Sequence, residues 1–577
     1  MVVRRAAFAA LAAAVLLVPA RQAFAATTTL WPGVTFTQSL QVTPGGPVVV
    51  DVLTGPRPGG ATTLRTFLTS GQLTQRQTLT AAERQLSPTM TLAGINGDFF
   101  NFASARPSGV LMEDGQLLSE PSPDRSSAGI TADGTLQIGR VALTSTWQSL
   151  GAAHAITAFN RPPGPGGVAL FTPAWGAATP VVPGATAVVL FPFPPTMPGV
   201  PLGSAVQEIT SSQTVAIPAG GAVLVARGVG AKTLQSEAPV GSPLTVALNL
   251  DPSWAGTVQA IGGGPQIVRN GQAVLNAGES FLPSQLVPAA PRSGIGQLAD
   301  GRVILVAVDG RQPGWSVGLT NFQLGQTLAR LGAVTGFALD SGGSTTMAFD
   351  GTLLNRPSDG RERPISTALA FSYTGALASA APLTVSPNGD GVDDTESLSY
   401  KLVRPSSGSV TLTAPDGSVA STLSVDAESP GTYSIPFPPT HSPAQGTWKL
   451  TVNATDDLGT QTSMTRSFTV DNSVGFLQTS GRTLFLPPGG RDFTISWKMG
   501  AAARVVATVE AKDGTVVRTL AIGRYGVGNQ TVVWNGLDKT GKRPQGGVYE
   551  AHLVSRSSVG TVELVKPFAI RQIVGGS

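Results

Sequence analysis

The chain has 577 residues, 41% hydrophobic and 12% charged, with 70 glycines and 45 prolines; such a composition excludes a disordered polymer, favours short strands and turns over long helices, and at this length suggests about three or four domains. It has no cysteine, so disulfides, thiolate metal sites and cysteine nucleophiles are excluded, and its three histidines leave catalysis to carboxylates, arginines, amides and hydroxyls. The formal charge is +4; the first 25 residues hold Arg4, Arg5 and Arg21 and no acid, so without them the charge is +1, which gives no general case for binding nucleic acid.

Arg4 and Arg5 precede the apolar run AAFAALAAAVLLVPA, and AFA ends at Ala25 with the small residues that signal peptidase accepts. Residues 1–25 therefore read as a signal peptide cleaved after Ala25, and the protein as secreted, extracellular or in the cell envelope. The alternative is a retained anchor, but the run is short of the roughly 20 residues of a bilayer span. No later segment reads as a transmembrane segment. Residues 26–47 read as a lead-in, and VVVDVLTG opens a strand-rich region spanning 48–374.

Within that region AGINGDFF brings Asn96, Asp98, Phe99 and Phe100 after an apolar approach. Asn and Asp can hold sugar hydroxyls and a Phe can cover a sugar face, although Asn-Gly is also the strongest hairpin dipeptide. VILVAVD is a continuous apolar run ending on Asp309, as a strand buried on both faces would be. NFQLGQTLARLG then places Leu324, Leu328 and Leu331 on one helical face, with Thr320 as N-cap. GFALD is the next apolar run and ends on Asp340. If the two strands run parallel in one sheet, Asp309 and Asp340 emerge at the same edge.

Asp340 is followed by Ser341, Gly342, Gly343, Ser344, Thr345 and Thr346. Glycines there let backbone N–H groups converge on an anion, and the hydroxyls add donors. Arg292, Arg311, Arg361 and Arg363 lie beside glycine or proline, and a guanidinium fork matches phosphate. Each arginine alone reads as a surface residue; beside one carboxylate-lined loop they point to an anionic substrate.

GALASAAPL, residues 375–383, reads as a linker. DGSVASTL recurs as DGTVVRTL, each followed by a glycine before an aromatic strand, GTWKLTV and GVYEAHLV. These repeats predict two β-sandwiches, 384–472 and 473–577. SPNGDGVDDT opens the first and groups Asn388, Asp390, Asp393 and Asp394 around glycines. The spacing is not that of an EF-hand; a turn is the expectation, and a structural calcium near Asp390 and Asp393 the alternative.

Six blocks in order, AGINGDFF, IGGGPQIVRNG, PRSGIG, VAVDGRQPGWSVGLT, FALDSGGSTTMAFDG and RPSDGRERPISTALAF, resemble the phosphodiester glycosidase family, which includes the enzyme that uncovers mannose 6-phosphate by removing N-acetylglucosamine. The chain departs from that pattern at Asp98 and Ser341, where glycine is frequent in the family. The second sandwich resembles the Ig-like module of flagellar hook-cap proteins. The resemblance implies an α+β (mixed α/β) catalytic domain, strand-rich with few helices, followed by two all-β Ig-like sandwiches. It implies hydrolysis at the anomeric carbon of a sugar-1-phosphodiester such as an N-acetylglucosamine-1-phosphodiester, with no cofactor required.

On this reading Asp340 is base or nucleophile and Asp309 a second, orienting acid. Arg292, Arg311 and Arg363 hold phosphate, Asn96 and Asp98 hold the sugar, and Gly342, Gly343, Ser344 and Thr345 form the anion loop. The partner is a phosphodiester-linked carbohydrate in cell-wall or exopolysaccharide material, with cell-wall association through the Ig-like modules. The rival class is a non-catalytic polysaccharide-binding or adhesion protein of the cell envelope.

Overall fold

The computed structural model describes residues 25–275, 278–378, 384–439, 443–486 and 493–572, so the expected signal peptide up to residue 24, part of the expected linker and His441 lie outside the described residues. Strands dominate, and among the described residues the four α-helices have at most ten residues each. The chain divides into two compact units after Tyr373.

In the first unit, an eight-stranded sheet has the order Ala25–Trp31, Val34–Thr43, Gly46–Gly55, Val303–Val308, Arg292–Leu298, Ala333–Ala338, Gln266–Arg269 and Gln272–Ala273. Residues 26–47, expected as a lead-in, thus supply strands of this sheet. Val303–Val308 is buried at every position, as its unbroken apolar run requires. It runs in the same direction as Ala333–Ala338, but the two are not neighbours: Arg292–Leu298 lies between them, antiparallel to both. Asp309, Asp340 and Arg292 therefore leave the sheet at one edge.

The helix Asn321–Arg330 covers these strands. Thr320 accepts from the Gln323 N–H and the Gln323 side chain accepts from the Thr320 N–H, which closes a capping box at the helix start. Leu324 and Leu328 are fully buried, and each such burial contributes roughly 1.5–3 kcal/mol. The helix comes this close because of glycine: a Cβ at Gly294 would lie 3.3 Å from Leu324 and one at Gly336 would lie 3.1 Å from Leu328. Leu331, expected on the same face, is instead the residue that ends the helix and is 40% exposed.

A five-stranded sheet brings Thr62–Leu68, Thr367–Tyr373, Thr91–Asn96, Met347–Phe349 and Thr352–Leu353 side by side, so the last strand of the unit sits between two early ones. A second five-stranded sheet includes Leu111–Glu113, Thr257–Ile261 and Ser126–Thr131. A separate eight-stranded sheet is built from residues 142–251 around its own core of Trp147, Phe159, Leu224 and Val246.

The second unit holds the same arrangement twice, a three-stranded and a five-stranded sheet. In the second copy both sheets supply one core, with Trp497 and Trp534 from one and Leu553 and Phe568 from the other. DGSVASTL and DGTVVRTL occupy equivalent hairpins, between Ser406–Thr413 and Val419–Glu428 and between Ala503–Ala511 and Val516–Tyr525. Trp448 donates through Nε1 to the carbonyl four residues earlier, Ala444, and Tyr549 donates through its hydroxyl to Gln545, each at 2.8 Å. In the SPNGDGVDDT loop the Asp394 carboxylate accepts from the Gly389 and Gly391 amides, and Asp390 accepts from Val392 and Phe476, so these oxygens bind backbone.

His552 lies between Glu510 at 2.9 Å and Glu563 at 2.6 Å, and hydrogen bonding to Glu563 leads in raising its imidazole to about 9. That folded value exceeds the ordinary one, so the interaction stabilises fully below about 6.5 and is lost as the pH rises through about 9. His552→Gln is expected to lower the unfolding temperature of the second unit at pH 7, with the deficit fading above pH 9 in a calorimetric pH series.

Candidate active site

The two sheets that carry candidate residues are joined at Asn96, the last residue of Thr91–Asn96. Its side chain is fully buried. Nδ2 donates to the Asp340 carbonyl at 2.8 Å, and Oδ1 accepts from the Ser293 hydroxyl at 2.6 Å and the Thr346 amide at 3.2 Å. The Asp340 amide in turn donates to the Gly97 carbonyl at 3.0 Å. Asn96, expected to hold sugar, has these atoms engaged within the protein and acts as a fastener that fixes the Asp340 backbone.

Asp340 is half-buried at the end of its strand. Burial pushes its carboxyl up to about 6, against the Ser344 hydroxyl, the Ser341 amide, which donates to Oδ1 at 2.8 Å, and the guanidinium groups of Arg363 and Arg125. Asp98 is 3% exposed and rises to about 7; burial is the main cause, opposed by the Gly109 amide, which donates to Oδ2 at 2.7 Å, and by Arg125, while the charge on Asp340 raises it further. Two neighbouring carboxyls both raised toward neutrality are candidate acid–base groups. Asp98, expected as a sugar ligand, thus lies close enough to Asp340 to feel its charge.

The close fit around Asp98 depends on Gly262, where a Cβ would stand 2.4 Å from Oδ2. Gly262 begins the Gly-Gly-Gly run that follows Thr257–Ile261 and passes between Asp98 and the end of Ala333–Ala338.

Asp309 is buried and its oxygens accept from Trp315 Nε1 at 2.8 Å, Asn355 Nδ2 at 3.0 Å and the Arg356 amide at 3.0 Å. Burial raises its carboxyl from the ordinary value. The same Asn355 amide reaches the Thr345 carbonyl at 3.3 Å, and Asn355 Oδ1 accepts from the Met347 amide at 2.7 Å. Asp309 is therefore a positioning residue: it holds Asn355, which holds the strand entrance after the anion loop.

Arg292 is likewise drawn inward. Nε donates to Leu319, Nη1 to Gln285 and Nη2 to Leu286 and Pro288, all backbone carbonyls, and Nη1 also approaches Ser341 Oγ at 3.5 Å. These five contacts match the five donors of a guanidinium. Burial and then Arg311 lower it to about 10, so it remains a cation at neutral pH. Its donors are spent on the protein; it contributes positive potential beneath Ser341 rather than a clamp on phosphate.

Arg311 and Arg363 reach the loop from outside. Arg311 is exposed, in a left-handed conformation with φ 58°, and its guanidinium would lie 3.1 Å from a Cβ on Gly342. Arg363 lies against Gly343, where a Cβ would meet Nη2 at 2.0 Å, and it pairs with Asp359 at 2.6 Å. Gly342–Ser344 forms a single 3-10 turn. The Gly342 amide donates to Pro291 and the Thr345 amide to Gly342, and the buried Ser344 hydroxyl faces the Asp340 carboxyl. Thr345 is buried and its hydroxyl accepts from Ser293 at 3.3 Å, so it supports the loop from below.

Arg125 gives no signal in the sequence, where it stands in SPDRSS. Its guanidinium lies 4.5 Å from the Phe281 ring centroid and 5.5 Å from that of Phe99, and it lowers both Asp98 and Asp340. Its Nε donates to the Ser280 carbonyl at 3.1 Å, so a stacked guanidinium here offers an anion its Nη donors. Phe99 is half-buried, whereas Phe100 is buried and serves the core. Glu279 holds the segment before Phe281 by accepting from the Ser126 amide at 2.7 Å and hydroxyl at 2.8 Å.

A profile of the phosphodiester glycosidase family matches residues 202–372. This stretch, under a third of the chain, is similar to that family. It contains Arg292, Arg311, Asp340, the anion loop and Arg363, while Asn96, Asp98 and Arg125 join it through the fold. A hypothetical protein from Synechocystis is similar in structure, 25% identical with a TM-score of 0.51, over 61% of this chain and 64% of that one. The catalytic domain of zebrafish N-acetylglucosamine-1-phosphodiester alpha-N-acetylglucosaminidase aligns over 60% of this chain and 87% of that one, but at 14% identity and a TM-score of 0.32 it carries no argument. An uncharacterized prophage-derived protein of Bacillus subtilis is 39% identical over 83 residues; the chain spans 13% of its length.

Asn96→Ala would orphan the Ser293 hydroxyl and the Thr346 amide in the interior and release the Asp340 carbonyl. It is expected to destabilise the first unit by about 2 kcal/mol, measured by urea unfolding.

Proposed function

We propose that the protein is a secreted hydrolase of sugar-1-phosphodiesters, such as N-acetylglucosamine-1-phosphodiesters, that cleaves the bond between the anomeric carbon and its oxygen. The observation that carries this reading is the Asp98–Asp340 pair, titrating near neutrality and ringed by Arg125, Arg311, Arg363 and the Gly342–Ser344 turn. Cationic side chains and loop hydroxyls suit a phosphate that must be held and then leave as an anion. Half-buried Asp340, the more acidic of the two, acts at the anomeric carbon as nucleophile or as base toward water. Asp98, still protonated in part near pH 7, supplies a proton to the departing oxygen. Phosphate is a good leaving group, so this proton helps less than it would for an ordinary glycoside.

In this reading the catalytic part is an α+β domain and the second unit a pair of Ig-like sandwiches that associate with wall or exopolysaccharide material. The activity requires no cofactor. A structural calcium near Asp390 and Asp393 has few carboxylate oxygens left to it, since backbone amides take those of Asp390 and Asp394.

Residues 26–577 are expected to release free sugar, not sugar phosphate, from an α-N-acetylglucosamine-1-phosphodiester, and Asp340→Asn to slow release by at least about a hundredfold. Undiminished turnover in that variant would remove Asp340 from the mechanism. The rate is expected to rise through about pH 6 as Asp340 ionises and to fall above about pH 7 as Asp98 loses its proton. Asp98→Asn should abolish the alkaline limb of that profile.

A further inference from the structure

The proposed reaction leaves the size of the substrate open, and a cluster outside the carboxylate pair bears on it. Residues 101–106 form a closed loop. Asn101 Oδ1 accepts from the Ala103 and Ser104 amides at 2.9 Å, the Asn101 amide donates to the Arg106 carbonyl at 2.9 Å, and the Ala105 amide donates to the Asn101 carbonyl at 2.8 Å. Ala105 takes a left-handed φ of 63° to complete the turn. A loop so fully bonded to itself displays its apolar residue rather than letting it fold away. That residue, Phe102, is 64% exposed.

Two guanidinium groups attend the ring. Arg363 Cζ lies 5.6 Å from its centroid and Arg76 Cζ lies 5.8 Å away, with Arg76 also 5.3 Å from Phe100. Arg76 is exposed, and among the described residues no carboxylate pairs with it. Arg363 links this cluster to the reacting centre, because it lies on Gly343 and its charge is felt by Asp340. An exposed aromatic face suits the apolar face of a sugar ring, and an unpaired guanidinium beside it suits a phosphate. Held together beside the carboxylates and arginines proposed to take one phospho-sugar, they repeat that chemistry.

We propose that Phe102 and Arg76, continuous with Arg363, form a second subsite that binds the neighbouring phospho-sugar unit, so that the enzyme acts on chains of sugar-1-phosphate residues rather than on isolated diesters. The subsite rests on the sugar-1-phosphodiester reading above. Phe102 covers the next sugar ring, and Arg76 neutralises the next phosphate.

The test uses the whole chain with two substrates, the methyl diester of N-acetylglucosamine 1-phosphate and an oligomer of N-acetylglucosamine-1-phosphate units, and the variants Arg76→Gln and Phe102→Ala. Wild type is expected to show a KM about tenfold lower for the oligomer. Each variant should lose that advantage, with kcat and the methyl-diester constants unchanged. Equal KM for both substrates in wild type, or variants that impair both alike, would overturn the subsite while leaving the reaction standing. If neither substrate releases sugar, the reaction reading fails. Calorimetric titration of the oligomer then decides the subsite: salt-sensitive binding lost in both variants supports it. Binding that is absent, or unchanged in the variants, overturns it and leaves Phe102 as a protein contact.

Discussion

The side-chain amide of Asn96 ties two sheets together beside Asp340, where the Asp340 amide also donates to the Gly97 carbonyl. One end of it grips the carbonyl of Asp340 and the other gathers Ser293 and the amide of Thr346. A buried amide pays its desolvation cost only if its bonds are made, so the register between the sheets is set to the accuracy of a hydrogen bond. Every other feature of the site inherits that accuracy. Asp98 follows Asn96 by two residues, and Asp340 is fixed through its own backbone, so the separation of the two carboxyls is determined by neither side chain.

Charge in this pocket is arranged in two tiers. The inner tier, Asp309 and Arg292, is buried and its hydrogen-bonding capacity is spent on the surrounding chain. The outer tier, Asp340, Arg125, Arg311 and Arg363, remains within reach of solvent. The inner groups shape loops and contribute potential; the outer groups are those that can meet an anion. Such a division keeps the buried cation out of ion pairs, because carbonyls with no net charge satisfy it, whereas at the rim Arg363 pairs with Asp359.

Much of this was legible in the sequence. The continuous apolar runs before Asp309 and Asp340 marked strands, Thr320 and the leucine spacing marked the helix, and the glycine and hydroxyl run marked the turn after Asp340. The order of the strands was not legible, because Arg292–Leu298 enters between two strands that precede and follow the helix, and pairing across a sheet leaves no local trace. Nor could residue type separate the two tiers. Arg292 and Arg311 look alike as letters, but the first lies under a loop whose carbonyls turn toward it. Arg125 was missed altogether because the stacking with Phe281 that positions it is 156 residues away in the chain.

The strand order of the smaller sheet has a consequence for biosynthesis. Thr367–Tyr373 lies between Thr62–Leu68 and Thr91–Asn96, so two strands made early wait for a partner made last. Until that partner arrives, each presents an open edge, and Asn96 has no assembled neighbour to grip. A nascent chain halted between Arg363 and Thr367 would already hold Asp98, Asp340 and their arginines, yet lack the strand that seats Asn96 among them.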